Sequence, residues 1–355
     1  MQHLLRTWTV AKSILPLIPH KPKKIFRFSS RSSYSSMSGS GKKRLFVIDT
    51  DAGLDDAQAI MMALAQPDIN IIGITTVNGN TTVNNVSKNV LRLLKTCRRL
   101  DIPVYQGCDG PLMPHLDPVD AGHYHGVDGF GDVPDPDPVD PKMIKPEHSA
   151  LALVRLANEH PGEINLVAIG PLTNIALALR LDSGFGSKLK HCFIMGGNTE
   201  GKGNIKICAE FNFCADPEAA SIVLNLLGCP VTVAGWELCL KCGFTWEWYK
   251  RLISKGTAKS ELMRVLEANT IVKFYKEGSS EFYITADQII MSVAIDPKTV
   301  KAHEEVYATV ALNDPLTRGM MVIDWSEHLQ KKPNVKVVTE VDHDLYGKYL
   351  QDALN

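Results

Sequence analysis

The chain alternates between short, unbroken apolar runs and longer stretches in which apolar residues recur every three or four positions. Leu45-Phe46-Val47-Ile48 is a run of the first kind, closed by small and acidic residues. That is the pattern of a buried strand running into a loop. From Asp56 the period changes, and residues 56–64 read as a helix. Residues 70–77 form a second β-rich run, ended by Asn78-Gly79-Asn80, and residues 83–96 return to helical spacing. Residues 103–107 are a short third strand. The segment 108–147 is dense in Pro, Gly, Asp and His, and irregular segments of that length inside a domain are usually functional or mobile. Beyond it come a helix (149–159), a strand (164–169), the turn Gly170-Pro171-Leu172-Thr173-Asn174 into a helix ending at Leu181, and a strand (191–195) closed by Gly196-Gly197. Residues 217–227 read as helix, 230–234 as strand, and 245–294 as mostly helical. Residues 306–311, 320–324 and 335–340 read as late strands. Strands alternating with helices predict an α/β fold, a Rossmann-like open, mostly parallel sheet with helices on both faces.

Composition changes this picture only at the N-terminus. A chain of 355 residues with a 45% apolar fraction can bury one large core, and no apolar stretch is long enough to span a bilayer. Residues 1–44 hold ten of the 38 Lys and Arg and no acid, which leaves 28 bases against all 39 acids in the rest. An acidic body argues against a nucleic-acid surface. The expected organisation is a basic, Ser-rich extension over residues 1–43, disordered or a transit peptide, followed by a single α/β domain over 44–355. An untargeted extension fits the same composition, and Met37 offers a downstream start. The expected location is therefore cytoplasmic from a start near Met37, with mitochondrial import as the alternative. The eight cysteines lie mostly in apolar or helical contexts, as reduced thiols do. Cys239-Leu240-Lys241-Cys242 is a C-x-x-C without a second pair and reads as incidental.

The chemistry concentrates in Asp49-Thr50-Asp51-Ala52-Gly53-Leu54-Asp55-Asp56, four carboxylates in eight residues at the end of the first strand. One Asp suffices to cap a helix. Four like charges at the carboxyl edge of a sheet, where α/β proteins place ligands, call for a positive partner. A hard divalent cation, Ca²⁺ or Mg²⁺, takes oxygen ligands of this kind. Other polar residues fall at later strand ends: Asn80 after the second strand, Asn204, Glu210 and Asn212 after the 191–195 strand, and Asp287 at a helix start. At Ile169 a main-chain carbonyl could face the acidic loop. Taken singly, each has an ordinary reading as a turn, a cap or a solvated face. Together they line one sheet edge with carboxylates and carboxamides, a set suited to a polyhydroxylated ligand such as a sugar held beside a metal.

Asp49-x-Asp51-x-Gly53-x-Asp55-Asp56-Ala57 resembles the N-terminal signature of the nucleoside hydrolase family of inosine-uridine-preferring type. Val77-Asn78-Gly79-Asn80, His125-Gly126-x-Asp128-Gly129-x-Gly131 and Gly170-Pro171-Leu172-Thr173-Asn174-Ile175-Ala176 resemble further motifs of that family. So do Gly203-Asn204, Ala209-Glu210-Phe211-Asn212, Asp216-Pro217-Glu218-Ala219-Ala220 and Thr317-Arg318-Gly319. The similarity runs in order over about residues 44–345. It implies a calcium-dependent hydrolase that cleaves the N-glycosidic bond of purine or pyrimidine ribonucleosides, giving ribose and free base by attack of a metal-bound water. By the same resemblance Asp51, Asp55, Asp56, Asp287 and the carbonyl of Ile169 would hold one Ca²⁺, and Asp51 would be the general base. Asp55, Asp287 and Asn80 would hold the ribose 2′ and 3′ hydroxyls, and Asn204, Glu210 and Asn212 its 5′ side. Asp49 would support the loop from behind. A homodimer or homotetramer is expected by analogy, with a ribonucleoside as partner and neither nucleic acid nor membrane.

One position departs from the family pattern. Family members that cleave pyrimidine or mixed nucleosides usually have His before the last metal-binding Asp, and purine-specific relatives often have Trp; this chain has Ala286. Alanine neither protonates nor stacks on a departing base, and acid help is worth about 10²–10⁴-fold. His125 in the loop is the expected substitute acid, with His123 or Tyr283 behind it. Trp236, Trp246 and Trp248 offer stacking faces. Two other readings stand beside the hydrolase. One is a catalytically weak or inactive riboside-binding protein that keeps the metal cage. The other is a haloacid-dehalogenase-like phosphatase, which also places Asp-x-Asp after a strand but has no use for Asp55-Asp56 or the ribose segment.

Overall fold

The computed structural model describes residues 42–114, 119, 121–276 and 280–355. The transit-peptide expectation for the N-terminal extension lies outside these residues.

Eleven strands are present among the described residues: β1 Arg44–Thr50, β2 Ile69–Thr76, β3 Val104–Gln106, β4 Ile144–Lys145, β5 Ile164–Ala168, β6 His191–Met195, β7 Val231–Ala234, β8 Val300–Val306, β9 Ala308–Val310, β10 Met321–Ile323 and β11 Val335–Val341. Nine of them make one sheet in the order β4-β3-β2-β1-β5-β6-β7-β11-β8, parallel throughout except for β8, which runs antiparallel to β11 at the edge. The predicted α/β architecture is the observed one.

Between the strands lie α1 Leu54–Leu64, α2 Val83–Thr96, α3 Gly122–His125, α4 Ser149–Glu159, α5 Thr173–Leu181, α6 Phe211–Ala215 and α7 Pro217–Leu226. The C-terminal half adds α8 Trp236–Lys241, α9 Trp246–Ile253, α10 Ala258–Leu266, α11 Ile271–Lys276, α12 Asp287–Ile295 and α13 His343–Ala353. β1 explains the layering. Phe46 and Ile48 point into the core formed with α1, α2, α12 and α13, while Leu45 and Val47 point into a second core with α4, α5 and α7. A strand covered on both faces needs no polar alternation, hence the unbroken apolar run. No helix among the described residues is long and apolar enough to cross a membrane.

The end of the sheet differs from the sequence expectation. The run expected over 306–311 divides at Tyr307. Val300–Val306 joins the main sheet as β8, and β9 leaves it to pair with β10 in a separate antiparallel hairpin. β8 carries Lys301, His303, Glu304 and Glu305, and its exposed edge position tolerates a polar run that no alternation betrays. Cys239 and Cys242 are both buried thiols, as the incidental reading of the C-x-x-C pair expects.

Candidate active site

The chain builds outward from β1 through β2 to β4, then returns to place β5 on the other side of β1. Loops leaving β1 and β5 therefore diverge at a switch point, which opens a crevice at the carboxyl ends of the strands. The Val77 N–H donates to the Thr50 carbonyl at 3.0 Å and the Ile169 N–H to the Asp49 carbonyl at 2.9 Å, so three loops leave the sheet side by side. α12 enters from the helical half and brings Asp287 to the same place.

The acids meet there. Oxygens of Asp55, Asp56 and Asp287 all lie within 4.8 Å of one another. Asn80 ties Asp51 to this group: its N–H donates to Asp51 Oδ2 at 2.9 Å and its side-chain amide to Asp56 Oδ2 at 3.2 Å. The Thr50 hydroxyl and the Gly53 N–H also donate to Asp56. Asp51 Oδ1 is different, being buried with no hydrogen-bond partner. A Cβ on Gly170 would stand 2.9 Å from that oxygen, so glycine keeps the space in front of it clear. Burial first, then repulsion among the acids, raises Asp51 and Asp287 well above the usual carboxylate range and brings Asp56 to about 7. Such a group cannot ionise together without a counter-charge. Its donors are all oxygen, the set that a hard divalent cation takes. The residues present therefore fit a metal, and Ile169, the expected main-chain ligand, follows β5 directly and lines the cavity described below.

The loop is held hard. Ala52 has a φ of 23°, an unusual value for a residue with a Cβ. Its N–H donates to the Thr50 hydroxyl and its carbonyl accepts from Asn89 of α2 at 3.2 Å. Strain of this kind costs about 1–3 kcal/mol and persists where the surroundings over-determine it. Asp49 lies beneath the loop, its Oδ2 accepting from Thr75 and from Asn174, and burial raises its carboxyl to about 7.

A cavity of about 350 Å³ opens over this corner. Asp55, Asp287, Asn80, Asn204, Glu210 and Asn212 all line it, whereas Asp51 and Asp56 are fully buried and do not. Glu210 caps α6 and accepts from the N–H groups of Gly197, Asn212 and Phe213 at 2.8, 2.9 and 3.1 Å. Burial still brings its carboxyl to about 7. The Asn212 amide donates to the carbonyls of Met195 and Ile169 at 3.1 and 3.3 Å, which leaves its oxygen for the cavity. Asn204 stands exposed at the mouth.

The other end is aromatic. Trp236, Trp246, Phe282, Tyr283 and Ala286 line it, whereas Trp248 stacks on Phe244 at 3.8 Å and lies outside. His125 lines the cavity too, but the Leu54 N–H donates to its Nδ1 at 3.1 Å. An imidazole that accepts at Nδ1 is the neutral tautomer with its proton on Nε2. Burial lowers its pKa further, against the pull of Asp55 whose carboxylate lies 3.9 Å away. His125 thus caps α1 and offers a neutral N–H. His123 is exposed at the mouth.

Several residues that hold the site went unnoticed in the sequence. The Tyr283 hydroxyl turns away from the cavity into a buried cluster: Gln58 and Tyr283 donate to Glu267 Oε1 at 2.9 and 3.1 Å, and Tyr249 to Oε2 at 2.8 Å. Gln288 extends it, donating to Gln58 and accepting from the Ala286 N–H. Glu237 of α8 accepts from the N–H groups of Thr199, Glu200 and Lys202 at 2.7–3.0 Å and so fixes the loop that carries Asn204. Their sequence contexts read as ordinary helix surface.

An open α/β sheet with an oxygen-only corner that fits a metal, beside a cavity lined by carboxylates and carboxamides, is the architecture of a sugar-processing site. The family model for inosine-uridine preferring nucleoside hydrolases matches residues 46–348. The inosine-uridine preferring nucleoside hydrolase of Leishmania major is 34% identical over 88% of this chain and 97% of its own. Uridine nucleosidase 1 of Arabidopsis thaliana is 37% identical over 67% of this chain and 68% of its own. Among solved structures, an inosine-guanosine nucleoside hydrolase superposes with a TM-score of 0.81 at 36% identity, covering 88% of this chain and 98% of that one. The chain belongs to the inosine-uridine preferring nucleoside hydrolase family, and its activity class is that of an N-ribohydrolase acting on N-glycosyl bonds. The phosphatase alternative falls with that assignment.

Proposed function

We propose that this protein is a calcium-dependent ribonucleoside hydrolase that releases ribose and free base. The observation that carries this reading is Asp51 Oδ1, buried and unpartnered at the switch point among three further carboxylates. Asp51, Asp55, Asp56, Asp287 and the Ile169 carbonyl would hold the ion. When bound, calcium orients a water and lowers its pKa. Asp51, fixed through Oδ2 by the Asn80 N–H, has a free oxygen to receive the water's proton. Asp55, Asn80 and Asp287 hold one edge of the ribose; Asn204, Glu210 and the Asn212 oxygen hold the 5′ edge. As the C1′–N bond lengthens, positive charge develops on the sugar ring. Carboxylates already in position around it stabilise that charge without reorganising.

The test is ribose release by the purified full chain from inosine and uridine after chelation, with Ca²⁺ or Mg²⁺ restored. Calcium-restored turnover supports the reading, and turnover indifferent to chelation sinks the metal assignment. Calcium-dependent nucleoside binding without release would instead favour a riboside-binding role, which the alanine at position 286 motivates. A homodimer or homotetramer is proposed by analogy, to be read from sedimentation. Cytoplasmic residence, or mitochondrial import through the basic extension, is read by fractionation.

A further inference from the structure

When a C1′–N bond breaks, its electron pair stays on the departing nitrogen. On a neutral purine or pyrimidine this makes an anion unless a proton arrives. On a ring nitrogen that already bears positive charge, the same pair makes a neutral molecule. The donors at the base end of the cavity decide which substrates suffer.

Among the described residues lining that end, three donors are committed elsewhere. Trp246 Nε1 donates to the Ser280 carbonyl at 3.0 Å, and the Tyr124 hydroxyl is directed to the Ile284 carbonyl at 3.4 Å. The Tyr283 hydroxyl belongs to the Gln58–Glu267 cluster. His125, accepting the Leu54 N–H at Nδ1, keeps only the Nε2 proton of a neutral imidazole, a very weak acid. Ala286 brings only a methyl to the place beside Asp287. What the cavity does offer is aromatic residues, Trp236 and Phe282, and in the same lining the carboxyl groups of Asp55, Asp287 and Glu210. Aromatic faces attract flat cations. Carboxylates in the same cavity add to that attraction.

We propose that the substrates this site turns over best are ribosides of a cationic heteroaromatic base, such as N-ribosylpyridinium compounds or N7-alkylated purine ribosides. The proposal rests on the hydrolase reading above. Water forms a C–O bond at C1′ and gives one proton to Asp51, which passes it to solvent. The C1′–N bond breaks, its pair neutralises the ring nitrogen, and the base departs uncharged with no acid required. Ribose and a neutral heterocycle are the products.

The experiment compares kcat/KM of the calcium-loaded full chain on N-ribosylnicotinamide, 7-methylguanosine, inosine and uridine. It repeats the comparison with Ala286→His and with His123→Ala. The expected result is a preference for the two cationic ribosides of about 10²-fold or more, the lower end of what a missing general acid is worth. Ala286→His should narrow that ratio by raising the neutral substrates selectively. Inosine or uridine turned over as well as the cationic pair would overturn the proposal while leaving the hydrolase reading intact. A selective loss of the neutral substrates in His123→Ala would overturn it too, by identifying an acid at the mouth. Should Ala286→His misfold, the wild-type ratio still decides. Ribose release from none of the four would remove the hydrolase reading itself and this proposal with it.

Discussion

The two ends of the cavity are made in opposite ways. The acidic end comes from loops that leave adjacent parallel strands. Its side chains are pinned to backbone groups at and just beyond the strand ends and in α6: Asp51 to the Asn80 N–H, Glu210 to three N–H groups, Asn212 to two carbonyls. The aromatic end comes from α8, α9 and the segment before α12, and two of its polar groups are bonded within the protein, Tyr283 into the Glu267 cluster and Trp246 to the Ser280 carbonyl. One end spends its hydrogen bonds on the site and the other spends them behind it. On the proposed reading, fixed charge stands where charge must be stabilised and an apolar wall where bases differ.

The sharpest way to break this division is at Asp51. Asp51→Asn keeps the Asn80 contact and the shape of the loop but removes the proposed base and one metal charge. Loss of kcat/KM should reach roughly 10⁴-fold, the upper end for removing a positioned acid or base. Near-wild-type turnover would show that the orphaned oxygen plays no part in the reaction. Metal removal comes next. An ion bound only by the folded state stabilises by about 4 kcal/mol at a thousand times its dissociation constant. Thermal unfolding with and without chelator should therefore separate clearly, and Asp287→Asn should abolish the separation. A chelator-insensitive Tm in the wild type would contradict a structural metal at the acidic end.

The contrast also explains what the sequence disclosed. Acidic-end residues sit where strands stop, so a run such as Leu45-Phe46-Val47-Ile48 followed by Asp49 marks them from pattern alone. The central sheet was legible for the same reason, since β1 is buried on both faces and, after Arg44 at its start, carries no polar residue until Asp49. The aromatic end gives no such mark. Glu267 and Glu237 fall in helical stretches where a Glu ordinarily faces water, and only the tertiary fold turns them inward. His125 was legible as a cavity residue but not as the cap of α1, because its partner Leu54 lies 71 positions away. β8 escaped notice because an edge strand needs no apolar alternation.

Glu267 tests the wall from behind. Burial raises its carboxyl from 4.5 to about 8, although Tyr249 and Tyr283 donate to it. A group whose pKa is higher in the folded state contributes stability that is complete below the unfolded value and lost as pH climbs through the folded one. Wild-type stability should thus fall between about pH 4.5 and pH 8 relative to Glu267→Gln, which has no proton to lose. The Tm difference should widen in favour of the variant by the equivalent of roughly 2 kcal/mol, a part of the 1.36 kcal/mol per pKa unit that full coupling would give. A difference that is flat with pH would mean Glu267 is already ionised in the folded protein.

The smallest expected effect is at Trp236, and it bears most directly on the comparison. Trp236 lines the cavity, half-buried, on the helix that also carries Glu237. Trp236→Leu keeps an apolar wall while removing the aromatic face, and the Glu237 hold on the Asn204 loop is untouched. An aromatic contact is worth about 0.5–1.5 kcal/mol beyond its buried area, which predicts a rise in KM of roughly 3- to 10-fold. On the proposed division of the cavity the face meets the base and not the sugar, so kcat should move less than KM. A fall in kcat at constant KM would place Trp236 in the transition state, and the aromatic end would then share the work assigned here to the acidic one. The outcome is read most cleanly with free ribose as a competitive inhibitor. Its affinity should be the same in both proteins if the two ends act separately, and weakened in the variant if they do not.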